Sequence, residues 1–304
     1  MGGASTQISF QVLVGICHCQ PLSLSASAIF YPTQSHHVTP CFTYHGPVQV
    51  ASAANLAAED VFRMQLFGLN DVVYTHSYLC YGANEAFNAY YLGLLADGQS
   101  SAACLPTQAS VSFTSAELMT LKASYCSKSI PFPTATSALI NGLSDGLACM
   151  QAIAKFVANS PMGQGQPPLT NALDLFAFSG YYHVVDFMCS YLDPSRMCAR
   201  ALNSSAWQVS PKGLGQLGIV TCGLSLDELS TACNGTIKPS YLQVYCLQAS
   251  YFYTVLTKGY GLADESTALH FVDEVNQQSM GKLVWINGLE RVVLGQSIPA
   301  VDSS

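Results

Sequence analysis

Twelve cysteines in a 304-residue chain are the feature that most limits its fold. Apart from the Cys17-His18-Cys19 pair they stand singly, at Cys41, Cys80, Cys104, Cys126, Cys149, Cys189, Cys198, Cys222, Cys233 and Cys246. No Cys-x-x-Cys recurs, so a zinc ribbon has no support. An even number of scattered cysteines in a charge-poor chain points to disulfides and an oxidising compartment. The sequons Asn203-Ser204-Ser205 and Asn234-Gly235-Thr236 fit that compartment and make Asn203 and Asn234 candidate glycosylation sites.

Charge narrows the function. Only 10% of residues are charged, where about 25% is usual. Lys and Arg number 11 against 18 Asp and Glu, so the net charge is −7. Nucleic-acid recognition needs a basic footprint, and this chain has none. No window reaches the roughly 18 uninterrupted apolar residues of a membrane span. The most apolar opening stretch, residues 10–31, is broken by Cys17-His18-Cys19, Pro21 and serines, and it lacks the basic start of a signal peptide. Extracellular features without a leader predict that the chain is part of a longer protein.

The alternation of Ile8, Phe10, Val12 and Val14 predicts a strand. Residues 16–50, with Pro21, Pro32, Pro40 and Pro47, read as an irregular insertion with room for a hairpin. Residues 64–81 predict two strands around a Gly68-Leu69-Asn70-Asp71 turn. Asn84 is placed as the cap of a helix running to Ala96, and the Ser/Thr-rich residues 98–135 predict strands and loops. Further helices are expected over 137–159, 173–192, 227–233 and 239–258, with a loop at 163–168. Residues 282–294 form a short helix or a strand. Alternating strands and helices give an α/β or α+β class.

Lys212-Gly213-Leu214-Gly215-Gln216-Leu217-Gly218 matches the dinucleotide pattern Gly-x-Gly-x-x-Gly. It follows Pro211 rather than an apolar strand, and Ile219-Val220-Thr221-Cys222 is not expected to open a helix, so it reads as chance. Cys17, His18, Cys19, His36, His37, Cys41 and His45 are soft-metal donor types, but their spacing fits disulfide-bonded or loop-lining residues better. Met1-Gly2-Gly3-Ala4-Ser5-Thr6-Gln7 is the sharper signal. Two glycines before a hydroxyl residue allow close backbone approach, and consecutive N–H groups can cradle a phosphate. An ordinary glycine hairpin is the alternative.

The run from Gly2 to Ile8 resembles the fourth apyrase motif of the nucleoside triphosphate diphosphohydrolases. Gln65-Leu66-Phe67-Gly68 and residues 73–82 are similar to the strand pair that follows it in cell-surface members. Residues 176–187 resemble the family's aromatic helix, and Tyr245-Cys246 with Gly259-Tyr260-Gly261 its next helix and exit. Val284-Trp285-Ile286-Asn287-Gly288 resembles the terminal motif, and Ile298-Pro299-Ala300 the segment before the membrane anchor. The likeness spans the chain except about 11–60 and 188–225.

This resemblance implies an actin-like, ribonuclease H-like α/β fold of two lobes with the nucleotide between them. The chain corresponds to the second lobe, residues 1–262, followed by a segment, 263–304, that returns to the first. The reaction implied is in-line attack of water on the terminal phosphate of a nucleoside tri- or diphosphate, with Ca²⁺ or Mg²⁺. Gly2, Gly3, Ala4 and Ser5 would bind phosphate, Ser5 would also orient the water, and Gln7 would hold a metal-bound water. Tyr245 aligns with one face of the base site, and Tyr182 or His183 with the other. Ordinary core packing is the alternative for these aromatics and for Trp285. A basic residue often stands four before the tyrosine in the family; here it is Tyr241, which leaves base preference open.

Family spacing also implies Cys80–Cys126, Cys104–Cys149 and Cys222–Cys246 disulfides; Cys17, Cys19, Cys41, Cys189, Cys198 and Cys233 are extra to the family pattern, and a Cys189–Cys198 pair is a guess among them. The family's metal-site Asp, first phosphate loop and general-base Glu have no counterpart here. Met1 would then be an internal methionine, and the chain alone is expected to be inactive. The complete protein would be at the cell surface or in the secretory lumen, with a membrane anchor absent from this chain. The alternative is a non-catalytic extracellular nucleotide-binding or interaction protein.

Overall fold

The computed structural model describes residues 5–11, 60–66, 69–128, 137–162, 164, 175–178, 180–200, 206–275 and 278–279. The chain divides into two compact units, Ser9–Thr75 and Met1–Ile8 with His76–Ser304. Helices and small mixed sheets alternate, an α/β arrangement.

Strands β1 (Ser5–Gln11), β2 (Val61–Leu66) and β3 (Leu69–Leu79) form a sheet in the order β1-β3-β2. β2 and β3 pair antiparallel from Val61↔Tyr74 to Leu66↔Leu69, so the expected strand pair is present. Leu69, Asn70 and Asp71 belong to β3 and not to the turn, because their backbone groups are taken up by β2. The proposed insertion at 16–50 lies outside the described residues.

Helix α1 (Ala83–Ala96) starts one residue before Asn84, and its N-cap is Gly82 with no side-chain cap. β4 (Ser101–Ala102), β5 (Ser110–Phe113) and β6 (Ala138–Gly142) make a second sheet in the order β4-β6-β5. Two expectations are corrected here. Residues 115–123 are helix α2 (Ser115–Ala123), because Thr114 and Glu117 close a capping box that Ser/Thr richness had masked. The segment 137–159 is not one helix: it divides into β6 and α3 (Gly146–Ala158), separated where Asp145 accepts a hydrogen bond from the Ala148 N–H at 3.0 Å. Ser144, at φ 53°, fixes the junction by accepting from the Thr107 N–H at 2.8 Å and donating to the Leu224 carbonyl at 2.9 Å.

Residues 173–192 likewise divide, into β7 (Leu175–Ala177) and α4 (Gly180–Tyr191). β7 is the edge of a sheet ordered β7-β10-β9-β8, with β8 (Ala199–Arg200), β9 (Trp207–Gln208) and β10 (Leu269–Phe271). β10 runs parallel to β7, and backbone pairing overrides the helical period of the aromatic run there.

Helices α5 (Pro211–Cys222), α6 (Leu226–Ala232) and α7 (Pro239–Thr254) complete the unit, α7 ending in a π turn over Val255–Gly259. The last two match the sequence expectation. α5 corrects it, since the Gly-x-Gly-x-x-Gly stretch is helical from Pro211, with Ser210 as N-cap. Its glycines serve packing. A Cβ on Gly215 would stand 3.1 Å from the Tyr253 ring and one on Gly218 3.3 Å from the Ala249 Cβ. They let α5 lie closely on α7, which is how a small-residue stripe shortens an interaxial distance.

Four disulfides hold these elements: Cys80–Cys126, Cys104–Cys149, Cys189–Cys198 and Cys222–Cys246. Cys233 is a buried thiol whose Sγ donates to the Ser230 carbonyl at 3.4 Å.

The sharpest steric limit is Gly142, where a Cβ would stand 1.8 Å from the Pro106 carbonyl oxygen. Gly142→Ala should lower stability by about 1–3 kcal/mol, the usual cost of forced overpacking. Gly93→Ala, in open space on α1, should raise it by about 1 kcal/mol through helix propensity. Paired denaturant titrations check both, and a neutral Gly142→Ala would mean that the close passage of β6 past Pro106 is wrong.

Candidate functional site

Helix α4 presents Tyr182, His183 and Asp186, and α7 presents Tyr241 and Tyr245. The helices meet through Phe187 and Tyr245, whose ring centroids are 5.0 Å apart at 47°. Val184, Val185, Phe187 and Met188 bury one face of α4, which leaves Tyr182 half-buried and His183 exposed. Tyr182 and His183 meet edge to face at 5.6 Å. Tyr245 is 7% exposed, whereas Tyr241, one turn earlier, is 56% exposed.

Asp186 is the polar centre of this face. Its Oδ1 accepts from Trp207 Nε1 at 2.8 Å and lies 3.9 Å from Arg200 Nη2. Tyr182 stands one helical turn before it on α4. The Arg200 guanidinium lies over the Trp207 ring at 4.0 Å. Burial raises the Tyr182 phenol, with the charges of Asp186 and Asp273 adding and Arg200 opposing. Burial also pushes Tyr245 up to about 12, helped by Tyr241, Asp186 and Cys233. Tyr182 and Tyr245 therefore share the field of one carboxylate.

The other expected site residues stand apart. Ser5 and Gln7 both lie within β1. Gly2, Gly3, Ala4, Asn203 and Trp285 lie outside the described residues, as do Cys17, Cys19, Cys41 and their neighbouring histidines. Asn234 is exposed in the turn after α6, at φ 51°. Among the described residues, the grouping of metal-donor side chains is Cys149, Cys222 and Cys246, with sulfur atoms within 4.8 Å of one another. These are buried, disulfide-bonded sulfurs. They do not suit Ca²⁺ or Mg²⁺, which take hard oxygen ligands.

The model of the GDA1/CD39 (nucleoside phosphatase) family matches residues 42–290. The chain belongs to this family. It is 26% identical over 238 residues to ectonucleoside triphosphate diphosphohydrolase 1 of Rattus norvegicus, covering 74% of this chain and 43% of the relative. It is 25% identical over 261 residues to ectonucleoside triphosphate diphosphohydrolase 3 of Homo sapiens, covering 81% and 45%. With ectonucleoside triphosphate diphosphohydrolase 8 of Bos taurus it shares 27% over 221 residues, covering 69% and 40%. The chain thus spans less than half the length of these GDA1/CD39 relatives.

Within this family member, sequence reasoning missed Asp186, Trp207 and Arg200. Asp186 was detectable, since it is an acidic residue one helical turn after Tyr182 on the same side of α4. Trp207 and Arg200 lay in a stretch set aside as unmatched insertion, and only the pairing of β8 with β9 brings them opposite each other.

The Tyr245 phenol gives a pH test. With a folded value near 12 against an ordinary 10.0, the folded chain keeps a proton that the unfolded chain loses. Its contribution to stability is full below about pH 10 and is lost as pH rises through about 12. Tyrosinate absorbance and circular dichroism, followed together in alkali, should show Tyr245 ionising only with unfolding. A Tyr245→Phe difference signal that develops near pH 10 in folded protein would show the ring to be accessible.

Proposed function

We propose that this chain is the base-stacking and phosphate-turn portion of an apyrase-type nucleoside phosphohydrolase, which removes terminal phosphates from nucleoside tri- and diphosphates. What supports the reading is the packing of α4, which carries Tyr182 and His183, against α7 through the Phe187–Tyr245 ring contact, in a chain of the nucleoside phosphatase family. Its fold is the second lobe of the actin-like pair, residues 1–262, and 263–304 returns toward the first. The base packs between Tyr245 and the α4 pair Tyr182 and His183. Stacking is indifferent to base identity because every base has a π face.

The glycine turn Gly2-Gly3-Ala4 donates backbone N–H groups to phosphate, and Ser5 at the start of β1 orients the attacking water. Gln7 holds a water bound to Ca²⁺ or Mg²⁺, the ion that would neutralise charge on the phosphoryl oxygens. The complete protein works at the cell surface or in the secretory lumen, where four disulfides persist and Asn203 and Asn234 can be glycosylated. No helix among the described residues is long and apolar enough to cross a membrane. Nothing in the acidic composition favours nucleic acid as a partner. The 304 residues bind nucleotide without turning it over, because a general-base Glu is not found at the family's spacing, and that role typically supplies 10²–10⁴-fold.

Two measurements test the reading. Phosphate release from ATP and ADP with Ca²⁺ or Mg²⁺ should be negligible for this chain while equilibrium dialysis detects bound nucleotide. Turnover by the 304 residues would mean that the catalytic residues are misplaced. Tyr245→Leu should weaken nucleotide binding by about 1–3 kcal/mol, and Tyr245→Phe should leave it nearly unchanged, because the ring face and not the hydroxyl is used. Equal affinities in the two variants, each shown folded by circular dichroism, would remove Tyr245 from the site.

A further inference from the structure

Arg200 is held more firmly than an ordinary surface cation. Its guanidinium lies 4.0 Å from the Trp207 ring centroid, while Nη2 faces Asp186 Oδ1 at 3.9 Å. The same oxygen accepts from Trp207 Nε1 at 2.8 Å, so ring, carboxylate and guanidinium fix one another. The backbone beneath is equally constrained. Cys189–Cys198 ties the end of α4 to the residue before β8. Asp193 accepts from the Met197 and Cys198 N–H groups at 2.9 and 2.8 Å, and β8 pairs with β9 through Arg200↔Trp207. The side chain nevertheless remains 49% exposed. An exposed ion pair of this length adds little to stability, so stability alone does not explain the arrangement. The guanidinium also faces α4, since Asp186 stands one helical turn after Tyr182 on that helix.

We propose that Arg200 is a specificity-determining residue, donating hydrogen bonds to the O6 and N7 edge of a 6-oxopurine stacked against the α4 aromatic face. The inference rests on the nucleotide reading above and names the base class that the site prefers. A guanidinium carries donors only, in a planar fork, and guanine or hypoxanthine offers two acceptors in matching geometry. Adenine places an amino group where O6 would be, so donor faces donor. Stacking on Trp207 holds the fork in plane before the base arrives, which lowers the ordering cost of binding.

The experiment measures binding of GDP, IDP and ADP to the full chain by equilibrium dialysis, for the native protein, Arg200→Gln and Arg200→Lys, with circular dichroism as the folding control. The native chain should bind GDP and IDP about tenfold more tightly than ADP, equivalent to about 1.4 kcal/mol. Arg200→Gln should abolish the preference, by weakening GDP and IDP and, because Gln matches the N6 and N7 edge of adenine, by tightening ADP. Arg200→Lys, which keeps the charge but loses the fork, should retain only a small preference. Equal affinity for GDP and ADP in the native chain overturns the assignment and leaves the nucleotide reading standing. So does a preference that survives Arg200→Gln. If none of the three nucleotides binds the native chain, the nucleotide reading itself fails, and the role of Arg200 with it.

Discussion

Two disulfides touch at the centre of the helical layer, and the rest of the larger unit is arranged around that contact. Cys149 Sγ on α3 lies 3.8 Å from Cys246 Sγ on α7, although each is bonded elsewhere, to Cys104 and Cys222. The Ser250 hydroxyl stands 3.3 Å from Cys149 Sγ and 3.7 Å from Cys222 Sγ. All four sulfurs are fully buried. The bridges close loops of 45 and 24 residues, each contributing about 3–4 kcal/mol on a chain-entropy account. They join α3, α5 and α7 with the loop after β4, the same helices whose close approach needs Gly215 and Gly218. Cross-links and small residues thus reinforce one another: the glycines bring the backbones near, and the sulfurs keep them there.

That framework suits a chain in which 10% of residues are charged. Four of its carboxylates finish backbone hydrogen bonding. Glu117 and Glu228 close capping boxes on α2 and α6, and these bonds lower both carboxyls. Asp145 caps α3, and Asp193 caps the turn into β8. Asp186 differs, because it binds side chains and not a helix end.

Elements with an uninterrupted period and a chemical stop were legible in the sequence. α6 has its Ser225–Glu228 box, and α7 begins at Pro239 and runs apolar for four turns. The β2–β3 pair was legible, although its turn was placed too late, over residues that belong to β3. The boundaries that failed share a cause. Over 137–159 and 173–192 one helix was read across breaker residues that mark the junctions, Asn141-Gly142 with Ser144-Asp145-Gly146 in the first and Ser179-Gly180 in the second. The short apolar runs before those breakers satisfy either period, and tertiary pairing settles them as strands: β10 arrives from residues 269–271 to pair with β7, and β6 pairs with β4 and β5. Of the aromatic residues on α4 and α7, Tyr182, His183 and Tyr245 were named through family resemblance. Arg200 and Trp207 were not, because the Cys189–Cys198 bridge and a two-residue strand pair carry no periodic signature.

The burial of Tyr245 bears on how such a site can discriminate. At 7% exposure, with Phe187 against it, this ring offers a ligand only a limited surface. It gains rigidity in return, since a packed ring loses little freedom when something stacks on it. The adaptable surface lies on α4, where His183 is exposed and Tyr182 half-buried. A fixed ring opposite a softer pair favours general base binding without selection. Selection then has to come from hydrogen bonds at the base edge, where an unmatched donor costs far more than a methylene misfit. The rigidly held polar groups described on that side are Asp186 and Arg200. Asp186 is occupied by the Trp207 indole N–H. On the proposed reading, the guanidinium, stacked on Trp207 and half-exposed, is the group that would read the edge.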